Sequence, residues 1–294
     1  MLYQVRLSIT YDYDSPAMGG RHLLRLLPAQ IPGVQTVRQS SLAISPRPSE
    51  RAEFRDFFGN AATTIALAAD HSRIVFTGAA LVERLAMGPG IDTSPPLEAL
   101  AAELAGWRDL GPDSPLHFIA DSPRIAAVNA ITAYAAQQGG SVRAVVEGLG
   151  HALYRDMQFD PRATTVDTSP AVSFEARRGV CQDFAQIMIA GLRGLGIPAG
   201  YVSGFLRTLP PPGQARLEGA DAMHAWVRAW CGAAEGWVEF DPTNDCFAAQ
   251  DHIAVAYGRD YGDVAPVAGV LRISGSQRTR QAVDVIPVGG IAPA

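Results

Sequence analysis

Cysteine is scarce in this sequence, because only Cys181, Cys231 and Cys246 occur among its 294 residues. An odd and sparse set of cysteines does not form a disulfide framework, so we expect free thiols in a reducing compartment. Long apolar stretches are also missing, since no segment approaches the roughly 18 consecutive apolar residues of a membrane span. The N-terminus lacks the charged start and unbroken apolar stretch of a signal peptide. These absences predict a cytoplasmic protein without a membrane partner.

A surplus of positive charge is absent as well. The chain has 24 basic and 29 acidic residues, a formal net charge of -5 and no long basic run, which argues against nucleic acid as a partner. Its six histidines and three cysteines show no close paired spacing of metal ligands. No acidic loop resembles an EF-hand, and no glycine motif would cradle a phosphate. We therefore predict no metal and no other cofactor, and the oligomeric state stays open.

Apolar residues make up 48% of the chain, enough to bury a core, and their pattern changes along it. In residues 1 to about 90, short runs alternate apolar and polar positions between turn residues, which favours a β-sandwich. In residues 123–138 and 141–156 the apolar positions follow helical spacing, and Ser141 is suited to cap the second helix. Residues 259–269 are predicted to form a loop, and the alternation from Val283 onwards predicts a final strand.

These patterns predict an α+β protein with two domains. Residues 1–115 would form an N-terminal β-sandwich-like domain, and residues 116–294 a core of helices packed on an antiparallel sheet. The core would include the strand that returns at the C-terminus. The β-rich domain would either bind substrate or cover one edge of the core.

A candidate nucleophile lies where a glycine-containing loop meets a helix. The segment Arg178-Gly179-Val180 leads into an apolar helical stripe that begins at Cys181. A helix N-terminus presents unpaired N–H groups and a partial positive charge, which favour a thiolate and could receive a developing oxyanion. Free cysteine is often a core residue, so a buried structural role is the alternative for Cys181 on local pattern alone.

Two adjacent predicted strands carry a histidine and an aspartate on matching faces. If Trp230 pairs with Glu235 across a loop of residues 231–234, the register places His224 directly opposite Asp241. Opposed side chains have Cβ atoms roughly 5 Å apart, within reach of a hydrogen bond between a carboxylate and an imidazole. A one-residue slip would send the two side chains to opposite faces. Taken singly, each also has a structural explanation, as a strand histidine and a turn aspartate.

A thiol nucleophile needs such a pair. A free cysteine has a pKa of about 8.5, so most of it is protonated at neutral pH. A neighbouring imidazole takes the proton and later returns it to the leaving amine, while a carboxylate fixes the imidazole tautomer. Cys181 as nucleophile, His224 as base and Asp241 as the orienting residue would form a catalytic triad for amides.

Three segments around these residues resemble the bacterial transglutaminase-like superfamily: RGVCQDFAQIMIAGLRGLGIPAGYVSGFL, DAMHAWVRAW and GWVEFDPTND. The resemblance covers roughly residues 120–270, and the later segment HIAVAYGRDYGDVAPVAGV is also similar to the family. It implies a papain-like transglutaminase core, with the nucleophile at a helix start packed against an antiparallel sheet that carries the base and its partner. It also implies the N-terminal β domain of many bacterial members. The triad of the family falls on Cys181, His224 and Asp241.

Neighbouring residues are candidates for supporting roles. Asp183, in the first helical turn, is better suited to bonding free helix N–H groups than to a direct role. Asn244 would hold a loop near the triad or only make a turn, and Trp226 would wall the cleft or lie in the core. The remaining candidates are Tyr154 and Gln158 as second oxyanion donors, and Asp260 and Tyr261 as residues that line the site or close a loop.

The predicted function is a cysteine-nucleophile enzyme that forms a thioester with a peptide, protein or glutamine-type amide. Release by water would make it a protease or amidase, and release by an amine would make it a transglutaminase. Hydrolysis is slightly favoured, because water is always present and no amine site is visible. The alternative from another class is a non-catalytic module of the same fold that binds a protein partner.

Overall fold

The computed structural model describes residues 1–85, 88, 90–208, 217, 219 and 221–289, and shows an α+β fold as predicted. The strands are β1 (Leu2–Leu24), β2 (Gln35–Ser45), β3 (Glu50–Arg55), β4 (Ala61–Leu67), β5 (His71–Arg84), β6 (Gln158–Phe159), β7 (Arg178–Gly179), β8 (Ala199–Leu206), β9 (Ala222–Trp230), β10 (Trp237–Asp241), β11 (Cys246–Phe247), β12 (His252–Gly258), β13 (Val267–Arg272) and β14 (Gln277–Pro287). The helices are α1 (Leu97–Gly106), α2 (Asn129–Ala135), α3 (Val142–Asp156), α4 (Pro170–Ala176), α5 (Cys181–Gly194) and α6 (Tyr261–Val264), with a 3-10 turn at Pro115–Phe118. Among the described residues, none of the helices combines the length and the apolar character needed to cross a membrane.

The first strand organises the N-terminal β region. β1 is 23 residues long, and its first half pairs with β5 while residues 20–24 pair with β4. The register with β5 shifts between Asp12 and Ala17, which marks a bulge or irregularity in the strand. Tyr3, Val5 and Leu7 are buried and alternate with exposed or half-buried residues, because successive side chains of a strand point to opposite faces. The predicted β-rich N-terminal region is confirmed: its strands form an antiparallel sheet with the order β2-β5-β1-β4-β3, here called the N-terminal layer.

The second sheet has the strand order β11-β10-β9-β8-β12, and α5 packs against β8 and β9. The buried stripe of α5 includes Phe184, Ile187 and Met188, as its helical spacing predicts. Ser141 caps α3 as predicted, since its hydroxyl accepts a hydrogen bond from the N–H of Ala144 at 3.2 Å. A papain-like layer of helices on an antiparallel sheet therefore follows the β region.

The predicted helix at 123–138 is wrong in its first half, because α2 begins only at Asn129. Two backbone N–H groups in residues 123–128 are instead bound by carboxylates outside this segment. The N–H of Arg124 donates to Asp260 at 2.9 Å, and the N–H of Ala127 donates to Asp121 at 3.0 Å. The predicted loop at 259–269 is also wrong in part, because it contains α6 and the start of β13.

The C-terminal strand β14 does not join the second sheet. It pairs antiparallel with β1 over eleven positions, from Tyr3 opposite Pro287 to Tyr13 opposite Gln277. The end of the chain therefore lies in the N-terminal layer, beside the segment with which the chain begins. The boundary at residue 115 stays a prediction.

Two buried amides attach the N-terminal layer to the second sheet. The side chain of Gln35 donates to the carbonyl of Ala254 at 2.8 Å and accepts from its N–H at 3.0 Å. Asn60 makes the same reciprocal pair with Tyr257. Both contacts fall on β12, an edge strand of its sheet, so the two amides satisfy backbone groups that would otherwise lack a strand partner.

Close packing between α3 and β10 generates a stability prediction. A Cβ added at Gly150 would lie 2.1 Å from the ring of the fully buried Phe240. We expect Gly150→Ala to lower the free energy of unfolding by about 1–3 kcal/mol, because a filled core cannot accept the added methyl group. Urea denaturation measures this change.

The matched control is Gly148→Ala in the same helix. Its nearest contact would be the flexible end of Gln138, so we expect no loss, or a gain of up to about 1 kcal/mol from helix propensity. Equal effects of the two substitutions would contradict the packing argument.

Candidate active site

The helix start at Cys181 is built by a glycine and a carboxylate. A Cβ at Gly179 would lie 2.5 Å from an oxygen of Asp183, so only glycine allows this close approach. Asp183 accepts the N–H of Val180 at 2.7 Å and the hydroxyl of Thr164 at 2.6 Å. Burial raises the pKa of Asp183, and these contacts are those of a helix-capping residue. Cys181 is the first residue of α5 and is partly exposed.

The predicted register of the β9–β10 hairpin is wrong by two residues. Trp230 pairs with Trp237 and not with Glu235, and His224 pairs with Gly204 of β8. The connection is longer than predicted because residues 231–236 form a turn closed by two backbone bonds. A shift of two residues keeps each side chain on its face, because side chains alternate with period two. His224 and Asp241 therefore still meet, through a hydrogen bond of 2.7 Å.

Asp241 is fully buried and accepts five hydrogen bonds. Its Oδ2 atom receives Nε2 of His224 at 2.7 Å, Nδ2 of Asn244 at 2.7 Å and Nε2 of His252 at 3.0 Å. Its Oδ1 atom receives the backbone N–H groups of Thr243 at 2.9 Å and Asn244 at 3.2 Å. Burial raises the pKa of Asp241, but the bonds to the two histidines outweigh it and hold this pKa well below its usual range.

His224 is correspondingly held as a cation. Burial lowers its pKa, but hydrogen bonds to Asp241 and Cys181 more than offset this and raise the pKa of His224 to about 10. Because Nε2 is bonded to Asp241, Nδ1 is the ring nitrogen left for the thiol. An imidazolium next to a cysteine favours the thiolate, the nucleophilic form.

His252 joins His224 and Asn244 in a cluster of side chains that bind Asp241, and sequence reasoning missed it. Its Nδ1 atom accepts the N–H of Ala249 at 3.3 Å, so the ring proton lies on Nε2, which donates to Asp241. The ring is buried and packs edge-on against Trp226, with centroids 5.1 Å apart. The segment that resembles the family begins at this histidine, and that was the one available signal.

Cys181 and His224 open into a cleft of about 230 Å³. One wall comes from the second sheet and α6, and includes Tyr201, Met223 and Tyr261. The lining also includes residues of β1 and β14, namely Ile9, Tyr11, Thr279 and Gln281. The N-terminal layer therefore shapes the space in front of the thiol.

The other predicted supporting residues have different locations. Tyr261 lines the cleft, and Asn244 contacts the cluster, with its Nδ2 atom 3.3 Å from Nε2 of His224. Trp226 is fully buried and donates to Glu239 at 2.8 Å. The structure does not bring the remaining ones into the cleft: Tyr154 and Gln158 are exposed away from its lining, and Asp260 caps α6.

His224, Asp241 and His252 also form a group that could hold a metal ion, since their ligand atoms lie within 4.8 Å of one another. In this geometry, however, both Nε2 atoms point at the same carboxylate oxygen as hydrogen-bond donors. A metal ion would have to displace both protons and break both hydrogen bonds. The donor set is therefore better suited to orienting the imidazole of His224.

The pKa of His224 generates a prediction for His224→Gln. A pKa raised to about 10 gives stability that is complete below the unfolded value of about 6.5 and is lost as the pH rises towards 10. The lowered pKa of Asp241 gives stability that is present above about pH 4 and is lost as the pH falls through its folded value. We expect the gap in free energy of unfolding between wild type and variant to be widest at about pH 5–6. Urea denaturation across the pH range measures it, and a gap that stays constant up to pH 10 would contradict the raised pKa.

The donor role of His252 generates a second prediction. His252→Phe keeps a ring in place but leaves Asp241 without one donor, so we expect a loss of about 1–3 kcal/mol in the free energy of unfolding. His252→Gln retains an N–H group near the same position and should lose less. Thermal and urea denaturation at neutral pH compare the two variants, and equal losses would show that ring packing, not the hydrogen bond, is what matters.

Comparison with known proteins places this arrangement in a family. Residues 3–83 match the bacterial transglutaminase-like N-terminal region, and residues 125–242 match the transglutaminase-like superfamily. An uncharacterized protein of Mycobacterium tuberculosis is 36% identical over 259 residues, which cover 85% of this chain and 82% of that protein. An uncharacterized protein of Mycobacterium leprae is 31% identical over 271 residues, which cover 90% of each chain.

Two further proteins, whose names give an enzyme class, are similar to part or all of the chain. A protein-glutamine gamma-glutamyltransferase of Pseudomonas aeruginosa is 32% identical over 139 residues, 47% of this chain but only 20% of that protein. The crystal structure of a candidate cysteine protease from Cytophaga hutchinsonii has a TM-score of 0.75 at 20% identity, covers 100% of this chain and 93% of its own, and shows the shared fold. By sequence and by fold, this chain belongs to the transglutaminase-like superfamily and carries the bacterial N-terminal region of that family.

Proposed function

We propose that the protein is a cysteine-nucleophile enzyme that cleaves amide bonds of peptide or protein substrates through a thioester on Cys181. One observation carries this proposal. A buried histidine that is bonded to a buried carboxylate opens, through its second nitrogen, towards a partly exposed cysteine at a helix start. Titratable groups with strongly shifted pKa values that converge on a cleft are typical of functional sites.

In the acylation step, the Sγ atom of Cys181 attacks the carbonyl carbon of the substrate amide. The proton held by His224 passes to the leaving nitrogen as the C–N bond breaks, so that a neutral amine departs and a thioester remains. The backbone N–H of Cys181, in the first turn of α5, has no acceptor within the helix and is placed to bind the developing oxyanion. Asp241 keeps the imidazole in position throughout.

Water is the proposed acceptor for the second step. His224, neutral after acylation, takes a proton from water, the hydroxide oxygen attacks the thioester carbon, and the carboxylic acid leaves as the thiolate reforms. No aspartate or glutamate is among the described residues that line the cleft, so no carboxylate there would attract a protonated amine. This supports hydrolysis over amine transfer.

The name of the Pseudomonas relative, a protein-glutamine gamma-glutamyltransferase, suggests a glutamine carboxamide as one amide to test. The composition of the chain simplifies the analysis of amine-transfer products, because all 24 of its Lys and Arg residues are arginine and none is lysine. The enzyme therefore offers no lysine amine of its own to a thioester. Any lysine-type product must come from an amine that is added.

The test is mass spectrometry of a glutamine-containing peptide incubated with the enzyme, with and without an added primary amine. We expect cleaved or deamidated peptide as the main product in both mixtures, and a loss of rate on the order of 10³-fold or more in Cys181→Ala. Amine incorporation that exceeds hydrolysis would replace the protease assignment by a transglutaminase. Absence of every product would favour the non-catalytic module.

Iodoacetamide labelling at pH 6 tests the activated thiol separately. Burial raises the pKa of Cys231, and burial raises the pKa of Cys246 to about 11, so both should react slowly. We expect Cys181 to be labelled faster than either. Cys231→Ala and Cys246→Ala are the matched controls, and equal rates at the three cysteines would contradict the proposal.

A further inference from the structure

The strand β14 has one edge towards β1 and one edge away from it. Its pairing with β1 runs without a break in register. At the two ends, the carbonyl of Ser276 accepts the N–H of Asp14 at 3.1 Å, and the N–H of Val288 donates to Leu2 at 2.8 Å. Backbone groups of even-numbered residues in this strand therefore face β1, because successive residues of a strand alternate in direction.

The odd-numbered residues face the other way. The carbonyl of Val283 accepts the N–H of Asp221 at 3.2 Å, and the N–H of Val285 donates to the Asp221 carboxylate at 2.6 Å. By the same alternation, the N–H and C=O groups of Thr279 and Gln281 point away from β1. Asp221 thus covers one end of this outer edge.

The other end of the outer edge lies in the catalytic cleft. Thr279 and Gln281 line the same cleft as Cys181 and His224. Within the part of the chain that the structure describes, no residue hydrogen-bonds to the outward backbone groups of Thr279 or Gln281. Residues 277–282 are exposed, whereas Val283 is buried. A short unpaired stretch of strand edge therefore borders the thiol.

We propose that this edge, at Thr279 and Gln281, binds the extended backbone of a peptide substrate and leads its scissile amide to Cys181. Each of the two residues offers one donor and one acceptor to a strand laid beside it, as in other peptide sites formed by strand addition. This inference rests on the proposed function and narrows its substrate class. The enzyme would select extended peptide segments over single amino-acid amides, because only an extended backbone can pair with the edge.

The side chains around the edge suit such an occupant. Ile9 and Tyr11, which pair with Gln281 and Thr279, line the cleft next to this edge, and Met223 and Tyr261 line it as well. Alternate side chains of a bound strand would point at these apolar walls while its backbone pairs with β14. Specificity would then come from the side-chain pockets and affinity from the backbone bonds.

The test uses Gln281→Pro in the full chain with the inactive Cys181→Ala background. Proline removes the N–H group of residue 281, which faces the cleft, but leaves the bonds of Arg280 and Ala282 to β1, so the strand can still form. The matched control is Gln281→Ala, which removes the same side chain and keeps the N–H. The probe is a capped, fluorescein-labelled octapeptide with a central glutamine.

We expect the octapeptide to bind roughly 3- to 10-fold more weakly to Gln281→Pro than to Gln281→Ala, the size of one lost hydrogen bond. Fluorescence anisotropy gives the two dissociation constants, and thermal melting checks that both variants are folded. Equal binding of the octapeptide to the two folded variants would overturn the proposal. Glutamine amide, added as a competitor, reports its own affinity for each variant. If that affinity is weakened in Gln281→Pro as much as the affinity for the octapeptide, the proposal is also overturned.

A proline variant that does not fold is replaced by a change in the peptide. N-methylation of alternate amides blocks one edge of the bound strand, so the two methylation patterns should differ in affinity for the Cys181→Ala chain. Equal affinities would overturn the proposal. If instead the edge pairs with a second copy of the chain, size exclusion will show a dimer and the octapeptide will not bind.

These binding measurements do not depend on catalysis. Failure of Cys181 to form an acyl-enzyme with any amide would refute the proposed function, while a difference between Gln281→Pro and Gln281→Ala would still report the peptide edge. Active enzyme with equal binding to both variants would refute the edge alone.

Discussion

The carboxylate of Asp241 is the group on which the rest of the site depends. Moving an ionised carboxylate out of water costs several kcal/mol, and in this protein five hydrogen bonds offset that cost. The donors come from β9, from the start of β12 and from the turn after β10. One buried charge therefore holds three segments in a fixed relation. His224 is positioned by the same contacts that make the carboxylate tolerable in the interior.

The N-terminal layer is tied to this cluster through β12. That strand begins at His252, which donates to Asp241, and further along it pairs with the amides of Gln35 and Asn60. The layer thus covers the edge of the second sheet and also supplies the β1 and β14 wall of the cleft. Of the two roles considered for the β-rich region, covering an edge is directly visible, and binding substrate follows from the same attachment if the proposed peptide edge is correct.

Much of the local structure follows from periodicity. The helical stripe after Cys181, the Ser141 cap and the bounds of β9 can all be predicted because the pattern that defines them lies within neighbouring residues. The hairpin shows the limit of such reasoning. Its register depends on how the turn closes, and Gly232 and Gly236 both adopt positive φ there, which a count of loop residues does not reveal. The predicted faces of the side chains are nevertheless correct, because the register error was two residues and side chains of a strand alternate with a period of two.

The local sequence is enough to single out Cys181, His224 and Asp241 as the candidate triad, and to predict that His224 and Asp241 lie on matching faces of their strands. Three features depend on the tertiary structure: His252 completes the bonds of Asp241, the N–H of Arg124 is bound by the distant Asp260, and β14 returns to β1 beside the cleft. The physical reason is the range of the interactions. Periodicity is set by neighbours a few residues apart, whereas a buried polar group takes whichever partner the packing of the whole chain brings near it.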